Sequence, residues 1–170
     1  MSQTTLDIKE PGLNVLPPGV ERHVVNAGGL TGLQIFPDDE IEIINEEGNQ
    51  ICEIICFDKD GKSELGILNQ KENCKKSFIK ELLKGKDESS LITNLQLKKR
   101  NLDINKSKSS ILFDEQAPSG EKIKIKSKDK CYVIFAAPQN DMLVSEQNPS
   151  SDLTIFIKRS KIKNDKELSV

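Results

Sequence analysis

Apolar residues fall into short runs separated by polar, Gly- or Pro-containing breaks, and the runs have the length of strands. The stretch Phe36 to Asp58, FPDDEIEIINEEGNQICEIICFD, has one run at Ile41, Ile43 and Ile44 and another at Ile51, Ile54, Ile55 and Phe57. Between them lies Asn45-Glu46-Glu47-Gly48-Asn49. Two β-branched runs joined by a short Gly-containing loop predict a hairpin, with Pro37-Asp38-Asp39 as the turn leading into it. Glu121 to Ser127, EKIKIKS, alternates, with Ile123 and Ile125 on one face and Lys122, Lys124 and Lys126 on the other. That is the period of a half-buried strand, and the lysines read as a solvent face or a blunted sheet edge. Cys131 to Ala137, CYVIFAA, is apolar throughout, as in a central strand covered on both faces, and Pro138 stops it. Strands are also expected at Val20 to Ala27, Leu30 to Phe36, Ile111 to Phe113 and Leu153 to Lys158.

Two stretches share a grammar. Pro37-Asp38-Asp39-Glu40 leads into IEII, a polar turn and QICEIICF; Pro118-Ser119-Gly120-Glu121 leads into KIKIK, SKDK and CYVIFAA. Two hairpins facing each other across a core predict a mainly β protein, a sandwich or jelly-roll-like barrel. The segment between them, residues 59 to 110, reads as a helical or irregular insert, with helix at about 75 to 105. Phe78, Ile79, Leu82 and Leu83 form an amphipathic stripe, Ser77 is placed to cap its start and Gly85 its end. Leu91, Ile92, Leu95, Leu97 and Leu102 follow in a second helix or a covering loop, and Lys98-Lys99-Arg100 reads as a solvated face. Residues 20 to 159 are therefore expected to form one β-rich domain. Residues 1 to 19, with Pro11, Gly12, Pro17, Pro18 and Gly19, read as an extended arm, and residues 160 to 170 as a charged tail or linker.

Composition narrows the function. A chain of 170 residues fits one domain able to bury roughly 70% of its unfolded surface. With 25 Lys+Arg against 27 Asp+Glu, the formal net charge is -2, and no global field argues for nucleic acid or a membrane surface. No apolar run approaches the roughly 20 residues that span a bilayer. The start, MSQTTLDIKEPG, lacks the basic and apolar regions of a signal peptide, so a cytoplasmic protein is expected. Cys52, Cys56, Cys74 and Cys131 show no paired spacing and read as reduced core thiols. Cys52 and Cys56 share a strand face but lie too far apart for a disulfide. With one histidine in the chain, no metal site is expected.

Candidate chemistry is sparse. No GxSxG surrounds a serine, and His23 would be the one available imidazole base, although a partly exposed strand residue is the plainer reading. AGGLTG lacks the lysine of a phosphate loop. Glu53 is the carboxylate inside an apolar strand, sharing a face with Ile51 and Ile55 while Cys52, Ile54 and Cys56 share the other. A carboxylate desolvated in such company marks many functional sites; the plainer reading turns its face to solvent. Gln50 is placed to orient a ligand or to cap the loop.

These residues also carry a resemblance. Gly48-Asn49-Gln50-Ile51-Cys52-Glu53 resembles the G-x-Q-x-x-D hairpin of the urea carboxylase-associated proteins, the family that includes carboxyguanidine deiminase subunits. APSGEKIKIKSKDKCYVIFAAP is similar to that family's second repeat, and the resemblance covers about Arg22 to Phe57 and Ala117 to Arg159. It implies a β-rich sandwich or barrel. Glu53 stands where the family has Asp, and Ala137-Pro138 where it has Cys-Pro. The resemblance thus implies a branch that keeps the scaffold without the chemistry. AGGLTGLQIFPDDEIEIINEEGNQICEIICFD and AAPQNDMLVSEQNPSSDLTIFIKR are similar to the N-terminal region of bacterial aminomethyltransferase-family proteins, where such a domain precedes a tetrahydrofolate-binding T-protein module. On this reading the chain is a non-catalytic accessory or docking domain for a folate-dependent aminomethyltransferase or demethylase system. Tetrahydrofolate is then held by the partner module and no cofactor by this chain. The alternatives are a small metal-dependent deiminase or hydrolase with Glu53, Gln50 and Cys56 lining the site, and a ligand-binding sandwich without an enzymatic partner.

Overall fold

The computed structural model describes residues 16–74, 76–114, 116–139 and 150–161; most of the expected N-terminal arm and charged tail lies outside them. Eight strands form two four-stranded antiparallel sheets. In order they are β1 (Val20–Val25), β2 (Leu30–Ile35), β3 (Glu40–Asn45), β4 (Cys52–Asp58), β5 (Ser109–Leu112), β6 (Glu121–Lys126), β7 (Cys131–Ala136) and β8 (Leu153–Lys158). Sheet A runs β1-β8-β3-β6 and sheet B runs β2-β7-β4-β5. This is the strand order of a jelly roll, so the expected sandwich is present.

The two expected hairpins are not. β3 lies in sheet A and β4 in sheet B, and β6 and β7 divide in the same way. Each repeat is an arch that carries the chain from one sheet to the other, and the repeats pair with each other. Glu40 to Asn45 face Lys126 to Glu121, and Glu53 to Asp58 face Ala136 to Cys131. A period of two records which face each residue takes, but it does not record which strand lies alongside. The same rule holds throughout: β1 pairs with β8, β2 with β7, β3 with β6 and β4 with β5. The chain is one long antiparallel ribbon, wrapped on itself, with the insert at its tip.

Backbone hydrogen bonds carry the ribbon through its corners. Gly28 N–H donates to Ala137 O and Ala137 N–H to Gly29 O; Asp38 N–H donates to Ser127 O and Ser127 N–H to Asp39 O. At the next corner Asn49 N–H donates to Ala117 O and Gly120 N–H to Asn45 O. Gly48 is required there. Its φ is +78°, and an added Cβ would lie 2.7 Å from Ser119 N.

Between the sheets, Val25, Ile35, Ile41, Ile43, Ile54 and Phe135 are among the residues packed into the main core. Sheet B is buried on its outer side as well. The insert contributes a 3-10 turn (Leu65–Leu68), α1 (Phe78–Leu82), α2 (Glu88–Lys99) and a second 3-10 turn (Ile104–Lys106). Ile79, Leu83 and Leu97 pack on Ile55, Phe57, Tyr132 and Ile134 to make a second core. As expected, Ser77 caps α1, its Oγ accepting from Lys80 N–H. Gly85 lies beyond the cap residue, Leu83, and donates its N–H to Leu82 O. β7 is buried along its whole length, and the lysines of β6 line a sheet edge.

Close packing of the outer layer depends on Gly32 of β2. The Tyr132 side chain lies across it, and an added Cβ would overlap the Tyr132 hydroxyl. Gly32→Ala should cost about 1–3 kcal/mol by overpacking. In a Tyr132→Leu background the same change should cost less, a coupling that urea unfolding of the four proteins in a double-mutant cycle would measure.

Candidate functional site

The three candidate residues stand close together in sequence, but the fold sends them to different places. Cys56 faces the main core with Cys52 and Ile54, whereas Glu53 faces the second core with Ile55 and Phe57. Neither plain reading of Glu53 holds as stated. Its side faces neither solvent nor an open site, because the insert covers it and its exposure is 0%.

Glu53 serves the backbone of α1. Its Oε1 accepts from Ile79 N–H at 2.9 Å and its Oε2 from Ser77 Oγ at 2.5 Å. The first amides of a helix have no partner within the helix, and a carboxyl group from the sheet satisfies one of them here while favouring the positive end of the helix. Gln50 has a similar task at a corner of the ribbon. Its Nε2 donates to Ile51 O and Pro138 O, both at 2.8 Å, and its Oε1 accepts from Ser151 N–H at 2.8 Å. It therefore holds the chain just after β7 to the chain just before β8. Asn45 Nδ2 in turn donates to Gln50 O at 2.6 Å. The Cys56 thiol shares a hydrogen bond with Cys131; that bond and burial push its pKa well above the ordinary thiol value. The Cys56 side chain lies inside the main core, away from any open face of the sheets. Cys52 is also pushed up, by burial first, and all four cysteines are free.

A cluster that the sequence reading did not single out closes the open end of the ribbon. Arg159, 4% exposed in its side chain, donates to Asp39 Oδ2 at 2.7 Å, to Glu21 Oε2 at 2.8 Å and to Gln34 O at 2.8 Å. Asp39, 0% exposed, also accepts from the N–H groups of Phe36 and Ser160. His23 is half-buried beside this cluster, its Nε2 2.9 Å from Glu21 Oε1. Burial lowers the Arg159 pKa, but the hydrogen bonds it donates to Glu21 and Asp39, with their negative charges, together outweigh it and raise the value. Burial likewise raises Glu21, but the bonds to and charges of Arg159 and His23 together outweigh it, leaving the carboxyl below its ordinary 4.5. Asp39 lies in the turn Pro37-Asp38-Asp39 and Arg159 at the last position of the expected domain, so neither stood out locally as part of a site. No spacing in the sequence signals that they meet.

A cavity of about 400 Å³ lies at the end of α2, lined in part by Gln34, Lys59, Lys99, Arg100, Lys130 and Tyr132. Arg100 corrects the expected solvated basic face. Lys98 and Lys99 are exposed, but the Arg100 guanidinium lies 4.4 Å from the Tyr132 ring centroid and donates to Gln34 Oε1 at 2.7 Å. Burial pushes the Tyr132 hydroxyl up to about 12, against the pull of Arg100. Among the described residues, no three His, Cys, Asp or Glu side chains are grouped to hold a metal ion, and no helix is long and apolar enough to cross a membrane.

No family model matches the chain. Over 157 residues it is 32% identical to the trimethylamine-oxide aldolase of Ruegeria pomeroyi, a match that takes in 92% of this chain and 20% of that protein. The chain thus spans about a fifth of the length of the curated relative it matches. A solved DUF1989 family protein from Silicibacter pomeroyi DSS-3 aligns with 84% of this chain and 80% of its own, at 10% identity and a TM-score of 0.49. The aldolase does not bear the name of the urea carboxylase-associated or aminomethyltransferase families expected from the sequence.

Two predictions follow from the buried polar groups. Glu53→Leu leaves the Ile79 amide without its acceptor and should cost about 1–3 kcal/mol. Glu53→Gln, which keeps an acceptor, should cost less. Hydrogen exchange should show amides 79 and 80 opening faster in the leucine variant. Arg159→Leu strands the buried Asp39 and should cost about 3–5 kcal/mol. Glu21 has a lowered folded pKa, so its contribution is complete above the ordinary value of 4.5 and is lost as pH falls through the folded value. Urea midpoints measured from neutral pH down through that window should fall in the native chain, and by less in Arg159→Leu.

Proposed function

We propose that this chain is a scaffold and docking domain serving an enzyme that processes an amine oxide, and that it does not itself carry the chemistry. The observation that carries the reading is the fate of Glu53, Gln50 and Cys56. The first two use their polar atoms to hold backbone, the third is sealed in the core, and Glu53 and Cys56 lie on opposite faces of β4. A deiminase or hydrolase needs a nucleophile or bound water, a base and a stabilising donor converging on one substrate atom. Those three residues do not converge.

The likeness to a trimethylamine-oxide aldolase, of which this chain spans a fifth, supports the link to an enzyme; an enzyme's name runs against the non-catalytic reading, but it favours neither the deiminase nor the binding module. The aminomethyltransferase-type partner expected from the sequence finds no support in this likeness, which names an aldolase. On this reading tetrahydrofolate would belong to a partner, and no step through it is derived for these residues.

The test is turnover of trimethylamine oxide, followed by substrate loss in proton spectra. The purified 170-residue chain should leave the substrate intact, whereas the tagged chain recovered from its native lysate should bring down activity absent from a tag-only control. Turnover by the chain alone, or no activity in the recovered material, overturns the proposal.

A further inference from the structure

The face that α2 turns to solvent points to a second copy of this chain. The helix is inverted: Ser90, Thr93 and Leu97 are buried, whereas Leu91, Ile92 and Leu95 are exposed by 52%, 50% and 66%. At about 3.6 residues per turn, those three share one stripe with Glu88, a turn before Ile92, and Lys99, a turn after Leu95. The stripe therefore reads acid, apolar, base along the helix axis. An apolar patch rimmed by charge in this way marks an interaction surface.

We propose that the chain forms a two-fold symmetric pair in which α2 packs antiparallel on α2 of a second copy. A two-fold axis between Thr93 and Asn94 sets Ile92 against Leu95 of the second copy and Glu88 against its Lys99, each contact occurring twice. Such a self-complementary patch defines an isologous interface. A parallel arrangement would set Glu88 against Glu88 and Lys99 against Lys99, so charge selects the antiparallel one. Antiparallel packing also opposes the two helix dipoles. Beside Ile92 a hollow of about 470 Å³, lined in part by Gly28, Gly29 and Ser89, gives room for the Lys99 stem of the second copy. A 12-residue helix is about 18 Å long. One such face falls short of the roughly 800 Å² per partner that stable complexes bury, so the pair should depend on concentration. The proposal does not rest on the aldolase likeness.

Sedimentation velocity on the whole 170-residue chain, from about 5 to about 500 µM, is the test. The mass should rise from one copy towards two. Leu95→Glu should hold it at one copy, while far-ultraviolet circular dichroism confirms an unchanged fold. Glu88→Lys and Lys99→Glu should each raise the dissociation constant about fivefold, and the double exchange should restore it. Should Leu95→Glu fail to fold, the charge-exchange set decides. One copy at every concentration, whatever else binds the stripe, overturns the proposal. So does a dimer that a folded Leu95→Glu leaves intact, or single exchanges that the double does not rescue.

Discussion

The antiparallel pairing of the chain's two halves is the constraint on which the rest of the structure depends. Because the ribbon runs from Gly19 and Arg159 to the β4–β5 pair, its corners must turn two strands together. The corner residues are therefore chosen for backbone service. Gly48 admits the chain at Ser119, Asn45 and Gln50 satisfy carbonyls inside one corner, and Asp39 gathers the amides of Phe36 and Ser160 at another. The Arg159 cluster sits where the ribbon's two ends meet. It occupies the place where fraying would begin, and it ties β1, the β2–β3 corner and the chain after β8 together at once.

Strand positions were legible because apolar spacing reports burial directly. EKIKIK showed its lysine face and CYVIFAA its burial on both sides, and both agree with the structure. The pairing was not legible. A polar loop with a glycine suits a hairpin and an inter-sheet arch equally well, since both need a change of direction and neither writes its partner strand into the local residues. What distinguishes them is long-range: Asn45 and Asn49 meet the loop after β5, Asn45 at Gly120 and Asn49 at Ala117. The repeat itself was read correctly as two copies of one grammar. Its geometric consequence differed, because the copies pair edge to edge within each sheet instead of each closing on itself.

The candidate site shows the same limit. A glutamate inside an apolar strand admits two readings when a strand has one wet face, but β4 has none. The insert that covers Glu53 lies beyond β4 in sequence, and a strand pattern carries no information about a layer added from outside. Gln50 drew interest because it flanks a turn. Its actual role depends on Pro138 and Ser151, which come near it only once the ribbon is wrapped. Buried polar residues with complete hydrogen bonding are expected wherever backbone must cross a packed interior, and they imitate catalytic residues in a sequence.

The insert also explains why α2 turns polar residues inward. Its inward side must receive the last carbonyls of α1, which have no partner within that short helix. Ser90 Oγ donates to Leu82 O at 2.6 Å and Asn94 Nδ2 to Leu83 O at 2.8 Å. With these donors needed on the side that meets α1, and with Leu97 as the helix's main apolar contribution to the second core, the side facing the sheet is short of hydrophobic positions. That requirement accounts for polar residues turned inward. It does not account for apolar ones turned outward, because Leu91, Ile92 and Leu95 leave half or more of their surface to water. The first inversion follows from the fold of one chain. The second needs a surface outside it, and the charges at the two ends of the same stripe are arranged as that surface requires.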